Sequence, residues 1–204
     1  MDWADTNGHV NCVSIGYRSM YHCEYSDDNV AIGGSALGNL YAGRGGAGTS
    51  TSSCNTAIGF AAGLGITTVV DTGYHAAHNT CIGYRSLGGG LLQVEETFRF
   101  GVDYTSTTAI GAFTDVAIDG SSSPTGGRDA CTIIGYGARA GKFEQSVYGT
   151  TIIGAYAGYG AGDDCTIIGN GADVAYPGSH NEVVIGAGAI GQGQGTVTLG
   201  NTST

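Results

Sequence analysis

His75 and His78 stand at the spacing at which two imidazoles can share a zinc ion. The stretch Tyr74-His75-Ala76-Ala77-His78 reads as loop, however, with no helix to bring both rings to one face and no third ligand nearby. Asp163-Asp164 follows Gly160-Ala161-Gly162 and invites a calcium reading, but the Gly-Gly-x-Gly-x-Asp ladder of calcium-binding rolls is missing. Glu95 and Glu96 are adjacent in an alternating run, so they face opposite ways and cannot converge for acid–base work. No Ser-His-Asp order is persuasive, and the glycines follow strands into turns, not into a phosphate-binding helix. The sequence therefore predicts no enzyme, no resident metal and no cofactor. What remains is a set of aromatic and hydrogen-bonding residues: Tyr41, Tyr74, Phe98, Phe100, Tyr104, Phe143 and Tyr148, with Arg44, Arg99, His75 and His78. Such residues suit stacking on sugar rings or capturing a protein epitope. The alternative is that the aromatics fold down and seal the flank of the fold.

The elements that would carry these residues follow from a repeat. An Ile-Gly step, once Leu-Gly, recurs at Ile15, Ile32, Ile58, Ile82, Ile110, Ile134, Ile153, Ile168, Ile185 and Leu199. Two positions before this marker the residue is always Val or Thr, from Val13 to Val197. Four positions after it the residue is always small, from Ser19 to Ser203. Stiff β-branched residues favour a strand, the Gly marks a bend or a close approach, and the small residue marks tight packing. Successive markers lie 17, 26, 24, 28, 24, 19, 15, 17 and 14 residues apart. The short C-terminal intervals give the bare coil, and ten stacked coils would make a rod on the order of 45 Å long.

This reading predicts one domain over residues 11–204, with residues 1–10 a cap or junction. Loop insertions are expected at 38–54, 64–79, 88–107, 118–130 and 141–150, and the run Val94 to Phe100 suggests a hairpin. A Tyr-Arg pair repeats at Tyr17-Arg18 and Tyr84-Arg85, as a surface ladder or as corner aromatics with the Arg in solvent. From Ile133 on, the residue before the marker is also apolar (Ile133, Ile152, Ile167, Val184). Both faces of those strands should then be buried, and one coil per layer is too thin to cover both. A second copy of the chain is the simplest cover. The Thr column shares the parity of the marker Ile and is expected to point inward, which counts against an ice-binding array.

Composition narrows the partners. With 7 Lys+Arg against 17 Asp+Glu and Lys142 as the single lysine, the chain is a poor match for nucleic acid or an anionic membrane. No apolar run reaches the roughly 18 residues of a membrane span, and the N-terminus lacks a signal-peptide pattern, so as written it starts in a cytoplasm. Of six cysteines, Cys12, Cys54, Cys81, Cys131 and Cys165 fall at repeat positions read as strand, while Cys23 lies in a loop. Cys131 and Cys165 are two coils apart, roughly 9.6 Å and out of disulfide reach, so buried free thiols are expected.

At Asn29-Val30-Ala31-Ile32-Gly33-Gly34-Ser35-Ala36-Leu37, Asn55-Thr56-Ala57-Ile58-Gly59-Phe60-Ala61-Ala62-Gly63 and Asn79-Thr80-Cys81-Ile82-Gly83-Tyr84-Arg85-Ser86-Leu87 the chain resembles the repeats of trimeric β-roll heads. These occur in trimeric autotransporter adhesins and in bacteriophage tail fibres. The resemblance implies an all-β fold, a left-handed β-roll solenoid assembled as a parallel homotrimer with apolar columns round a threefold axis. The ending Thr196-Val197-Thr198-Leu199-Gly200-Asn201-Thr202 is similar to the segment preceding the autocleaved chaperone of phage fibres. Two departures are the inflated middle coils and the number of cysteines. The function implied is a structural and receptor-binding virion fibre segment, attaching to a host-surface glycan or protein and joined to other fibre proteins. The alternatives are an adhesin head on a bacterial cell surface, or a spacer without its own ligand.

Overall fold

The structure, a computed structural model, describes residues 11–21, 27–38, 53–64, 76–87, 104–115, 128–140 and 146–201. These are all-β, with no helix among them. Ten three-residue strands carry the markers: β1 (Val13–Ile15), β2 (Val30–Ile32), β3 (Thr56–Ile58), β5 (Thr80–Ile82), β7 (Thr108–Ile110), β9 (Thr132–Ile134), β11 (Thr151–Ile153), β12 (Thr166–Ile168), β13 (Val183–Ile185) and β14 (Val197–Leu199). They form one parallel sheet in chain order, every marker opposite the next, from Ile15↔Ile32 to Ile185↔Leu199. Parallel neighbours require a crossover. Here a second parallel sheet of two-residue strands lies on that return path: β4 (Ala76–Ala77), β6 (Tyr104–Thr105), β8 (Arg128–Asp129) and β10 (Val147–Tyr148), ordered β10-β8-β6-β4. The ends of four of the sequence-predicted insertions thus pair with one another. The arrangement is consistent with a β-solenoid or roll. The proposed hairpin from Val94 to Phe100 and the loop cysteine Cys23 lie outside the described residues.

Strands this short have little stability alone and depend on stacking. The middle residue of each is the one turned inside. Ala31, Ala57, Cys81, Ala109, Ile133, Ile152, Ile167 and Val184 are fully buried. Side chains alternate across a strand, so the flanking Thr or Val and the marker Ile stand on the outer face, half-buried or exposed. This overturns the expected inward Thr column. Ile is outside because the interior is narrow and takes one side chain per strand.

The small column is buried throughout the described repeats after the first: Ala36, Ala62, Ser86, Thr114, Ala138, Ala157, Ala172 and Ala189. The marker glycines explain themselves by contact. Gly59 has φ +133, and a Cβ there would stand 2.5 Å from the Gly83 carbonyl oxygen. Gly16 meets Gly33 in the same way, and so on along the sheet. Inside, the residue before each strand builds a polar ladder. The Asn55 side-chain amide donates to Asn29 Oδ1 (3.1 Å) and to the Ala76 carbonyl (2.8 Å). Asn79 donates to Asn55 Oδ1 (3.0 Å), and the Thr107 backbone N–H donates to Asn79 Oδ1 (3.0 Å). Every member of this ladder is buried and paired, as an interior amide must be. The apolar interior falls into two clusters, one of Ala, Leu and Cys from Ala31 to Ala109, the other Ile- and Val-rich from Cys131 to Ala189.

Candidate interaction surface

Of the sequence-predicted binding residues, Tyr41, Arg44, Tyr74, His75, Phe98, Arg99, Phe100 and Phe143 lie outside the described residues. His78 follows β4 at φ 60, exposed, its N–H donating to the Ser53 carbonyl (3.1 Å). Tyr104 lies in β6 opposite Ala76 and Arg128. Tyr148 lies in β10 opposite Asp129, exposed, its N–H donating to Asp163 Oδ1 (3.0 Å). The three share the second sheet and its margin. They are not gathered into a site, because β8 separates the strands of Tyr104 and Tyr148 and the two tyrosines differ in register.

The described cysteines are all free thiols. Cys81 is the only one inside a strand, which corrects the strand reading for the others. Burial pushes its thiol well above the ordinary value, and pushes Cys131 up to about 11. Cys131 Sγ lies 3.3 Å from the Val147 carbonyl oxygen and Cys165 Sγ 3.3 Å from that of Ser179, so both act as small interior donors. Cys54 is exposed and Cys12 half-buried. Among the described residues no group of His, Cys, Asp and Glu could hold a metal ion. Interior charged groups have near neighbours of different kinds. Arg128 Nε lies 3.4 Å from Asp115 Oδ2, and the Arg139 guanidinium carbon lies 4.0 Å from the centre of the Tyr159 ring. Glu182, fully buried, pairs with the Ser179 hydroxyl.

Two surfaces remain open. The first is the outer face of the ten-stranded sheet, a strip of β-branched side chains on which Ile153 and Ile185 are each 38% exposed and Leu199 73%. Among the described residues nothing covers it, and although its second column is Thr in six strands and Val in four, an exposed apolar column such as that of the marker Ile marks an interaction face. The second is a line of aromatic rings at the turn beyond the marker glycines: Phe60, Tyr84, Phe113, Tyr136 and Tyr156, one for each of β3, β5, β7, β9 and β11. Phe60 and Tyr84 stack at 5.7 Å between ring centres. The next three contacts are edge-to-face at 5.2, 5.8 and 5.3 Å. Arg85 lies over the Tyr84 ring at 5.9 Å. The repeated Tyr-Arg pair thus belongs to a ladder at Tyr84. Tyr17 stands apart from it, since the second repeat has Gly34 at the equivalent position. The ladder was hard to find in sequence because its rings switch columns. Phe60, Tyr84 and Tyr136 lie two residues after the marker, Phe113 and Tyr156 three after. The available signal was one aromatic per repeat, read without a fixed column.

Compared with known proteins, the chain matches no family model, no curated protein and no solved structure.

Proposed function

We propose that the chain is a structural and receptor-binding segment of a bacteriophage tail fibre or related virion fibre, in which three parallel copies, each a left-handed β-roll, pack their outer sheet faces round a common axis. The observation that carries this reading is the outer strip. Its marker Ile side chains are aligned from repeat to repeat beside a column of Thr or Val, and among the described residues nothing covers them. Fully burying an Ile contributes about 1.5–3 kcal/mol, so covering the 38% of Ile153 still exposed adds about 0.6–1.1 kcal/mol per copy. Summed over the strands of three copies, that gain is of the same order as the cost of association, about 4–15 kcal/mol for each joining step. Closed cyclic symmetry is the common way for identical chains to satisfy such a face.

The test is molar mass by light scattering on the size-exclusion peak, with and without reductant. A mass of three times 20.5 kDa, unchanged by reductant, is expected. The double variant Ile153→Asp with Ile185→Asp should fall to a monomer, because it places charge on the strip. Ile152→Ala, on the inner face, should keep the mass. A monomeric natural chain overturns the proposal.

A further inference from the structure

We propose that the aromatic ladder from Phe60 to Tyr156, with Arg18 and Arg85, is a binding surface for an acidic polysaccharide lying along the direction of strand stacking. The inference rests on the receptor-binding part of the fibre reading and moves the contact from the inserted loops to the body of the fold. Five rings over four strand steps make a line of about 19 Å. Phe60 is 50% exposed and Tyr156 63%. The line is open and shallow, which fits an extended chain better than a small molecule that must be enclosed.

The backbone points the same way. Arg18, Arg85, Phe113 and Tyr156 share the position three after the marker, and all have φ between 53 and 55. At that position later repeats use Gly137, Gly171 and Gly188, each at φ 62. A left-handed backbone suits Gly and strains a bulky L-residue. Four repeats therefore hold a large, exposed or half-buried side chain where other repeats manage with Gly, and strain kept in this way is associated with function.

Local cations select the ligand. The formal net charge of −10 opposes a polyanion over the molecule as a whole, so the attraction must come from the arginines beside the rings. Among the described residues Arg128 and Arg139 are buried, while Arg18 is exposed and Arg85 half-buried. These two lie over rings, Arg18 over Tyr17 (5.3 Å) and Tyr21 (5.2 Å), Arg85 over Tyr84. Neither has a carboxylate partner among the described residues. A guanidinium beside an aromatic ring, without a carboxylate of its own, has N–H donors to offer a planar carboxylate. Sugar C–H faces can pack on the rings, and the hydroxyls of Tyr84, Tyr136 and Tyr156 can exchange hydrogen bonds with sugar hydroxyls. A uronic- or sialic-acid polymer supplies carboxylates, hydroxyls and C–H faces together.

The experiment titrates the full chain with polysialate, hyaluronan and alginate, and with neutral dextran and cellohexaose, by calorimetry at low and high salt. The same samples are weighed by light scattering. Expected is binding to at least one acidic polymer, weakened by salt, and not to the neutral ones. Arg18→Gln with Arg85→Gln should weaken it about tenfold. Phe113→Gly with Tyr156→Gly should abolish it while the chain keeps a cooperative thermal transition, since the relieved backbone offsets part of the lost ring contacts. Binding to neutral polymers alone, binding to none, or full binding by the Gly variant overturns the proposal. A trimer that binds none sinks the ladder and spares the fibre. A monomer that binds acidic polymer does the reverse.

Discussion

Replacing Gly59 by Ala should be among the most damaging single-methyl changes in the protein, and Gly171 supplies its control. Both have positive φ, +133 and +62. A Cβ on Gly171 would meet nothing within 4 Å, so Gly171→Ala costs only the left-handed backbone, about 1–2 kcal/mol. A Cβ on Gly59 would sit 2.5 Å from the Gly83 oxygen and 2.8 Å from its carbonyl carbon, well inside the roughly 3.5 Å of a relaxed contact. Side chains cannot yield there, because the neighbour is backbone. Two repeats must separate, weakening the hydrogen bonds from Gly83 N–H to the Ile58 oxygen (2.8 Å) and from Arg85 N–H to the Phe60 oxygen (2.9 Å). At about 1 kcal/mol per bond, with about 1–3 kcal/mol of backbone strain, the total is about 3–5 kcal/mol. For a chain of this size each kcal/mol lowers Tm by about 2–4 °C, so Gly59→Ala should lower it by about 6–20 °C and Gly171→Ala by about 2–8 °C. Calorimetric scans at one fixed rate compare them. Equal shifts for the two variants would refute the argument, for then the backbone angle alone would matter and the close approach would not.

Thiol reactivity should divide along the fold. Among the described cysteines Cys54 should label first with a mapped alkylating reagent, while Cys81 and Cys131 label only on unfolding. At about pH 8 a thiol raised to about 11 is roughly one-thousandth thiolate, even before access is considered. Early labelling of Cys131 would contradict its burial. At Asp173, burial raises the carboxyl above its ordinary 3.8, with Glu182 acting in the same direction. The N–H groups of Gly160 and Val174 and the charge of Arg139 oppose the shift. The native state therefore binds this proton more tightly than the unfolded chain. Its contribution is full below the unfolded pKa and is lost as pH rises through the folded one. Asp173→Asn keeps the Oδ1 that accepts from Gly160 (2.8 Å) and Val174 (2.9 Å). It should match the natural chain in acid and exceed it in Tm at neutral pH, and a neutral-pH loss confined to this variant would count against the assignment.

The repeat was legible because sterics at the marker leave no choice. A Gly whose neighbour is the next Gly must recur in every copy, and the small column is packed for the same reason. Which side faced inward was not legible. Ile is the most apolar residue of each strand, so hydrophobicity nominated it for the interior, yet the space inside holds Ala at Ala31, Ala57 and Ala109. Only the contrast between those alanines and the larger Ile133, Ile152 and Ile167 hints that this column is the one constrained by volume. The second sheet was missed because Ala76-Ala77 or Arg128-Asp129 is too short to show any period. The binding residues nominated from the insertions were chosen by type alone, and type cannot tell Tyr148, fixed in a strand, from a loop tyrosine.

The division of the interior has a mechanical meaning. Between β7 and β9 the chain passes from one apolar cluster to the other. Inside, what spans the boundary is polar: strand hydrogen bonds such as Thr108 N–H to the Cys131 oxygen (2.8 Å), the Thr107 hydroxyl to the Arg128 oxygen (3.2 Å), and the Asp115 carboxylate facing Arg128, with the Phe113–Tyr136 contact on the surface as the apolar link. Stacked repeats hold together through nearest-neighbour terms, so the weakest neighbour pair sets the load the whole stack can bear. Under tension along its length the molecule should part at this joint as two half-rods. The buried ion pair, which adds more to register than to cohesion, would then be the latch that returns the halves to alignment when the pull is released.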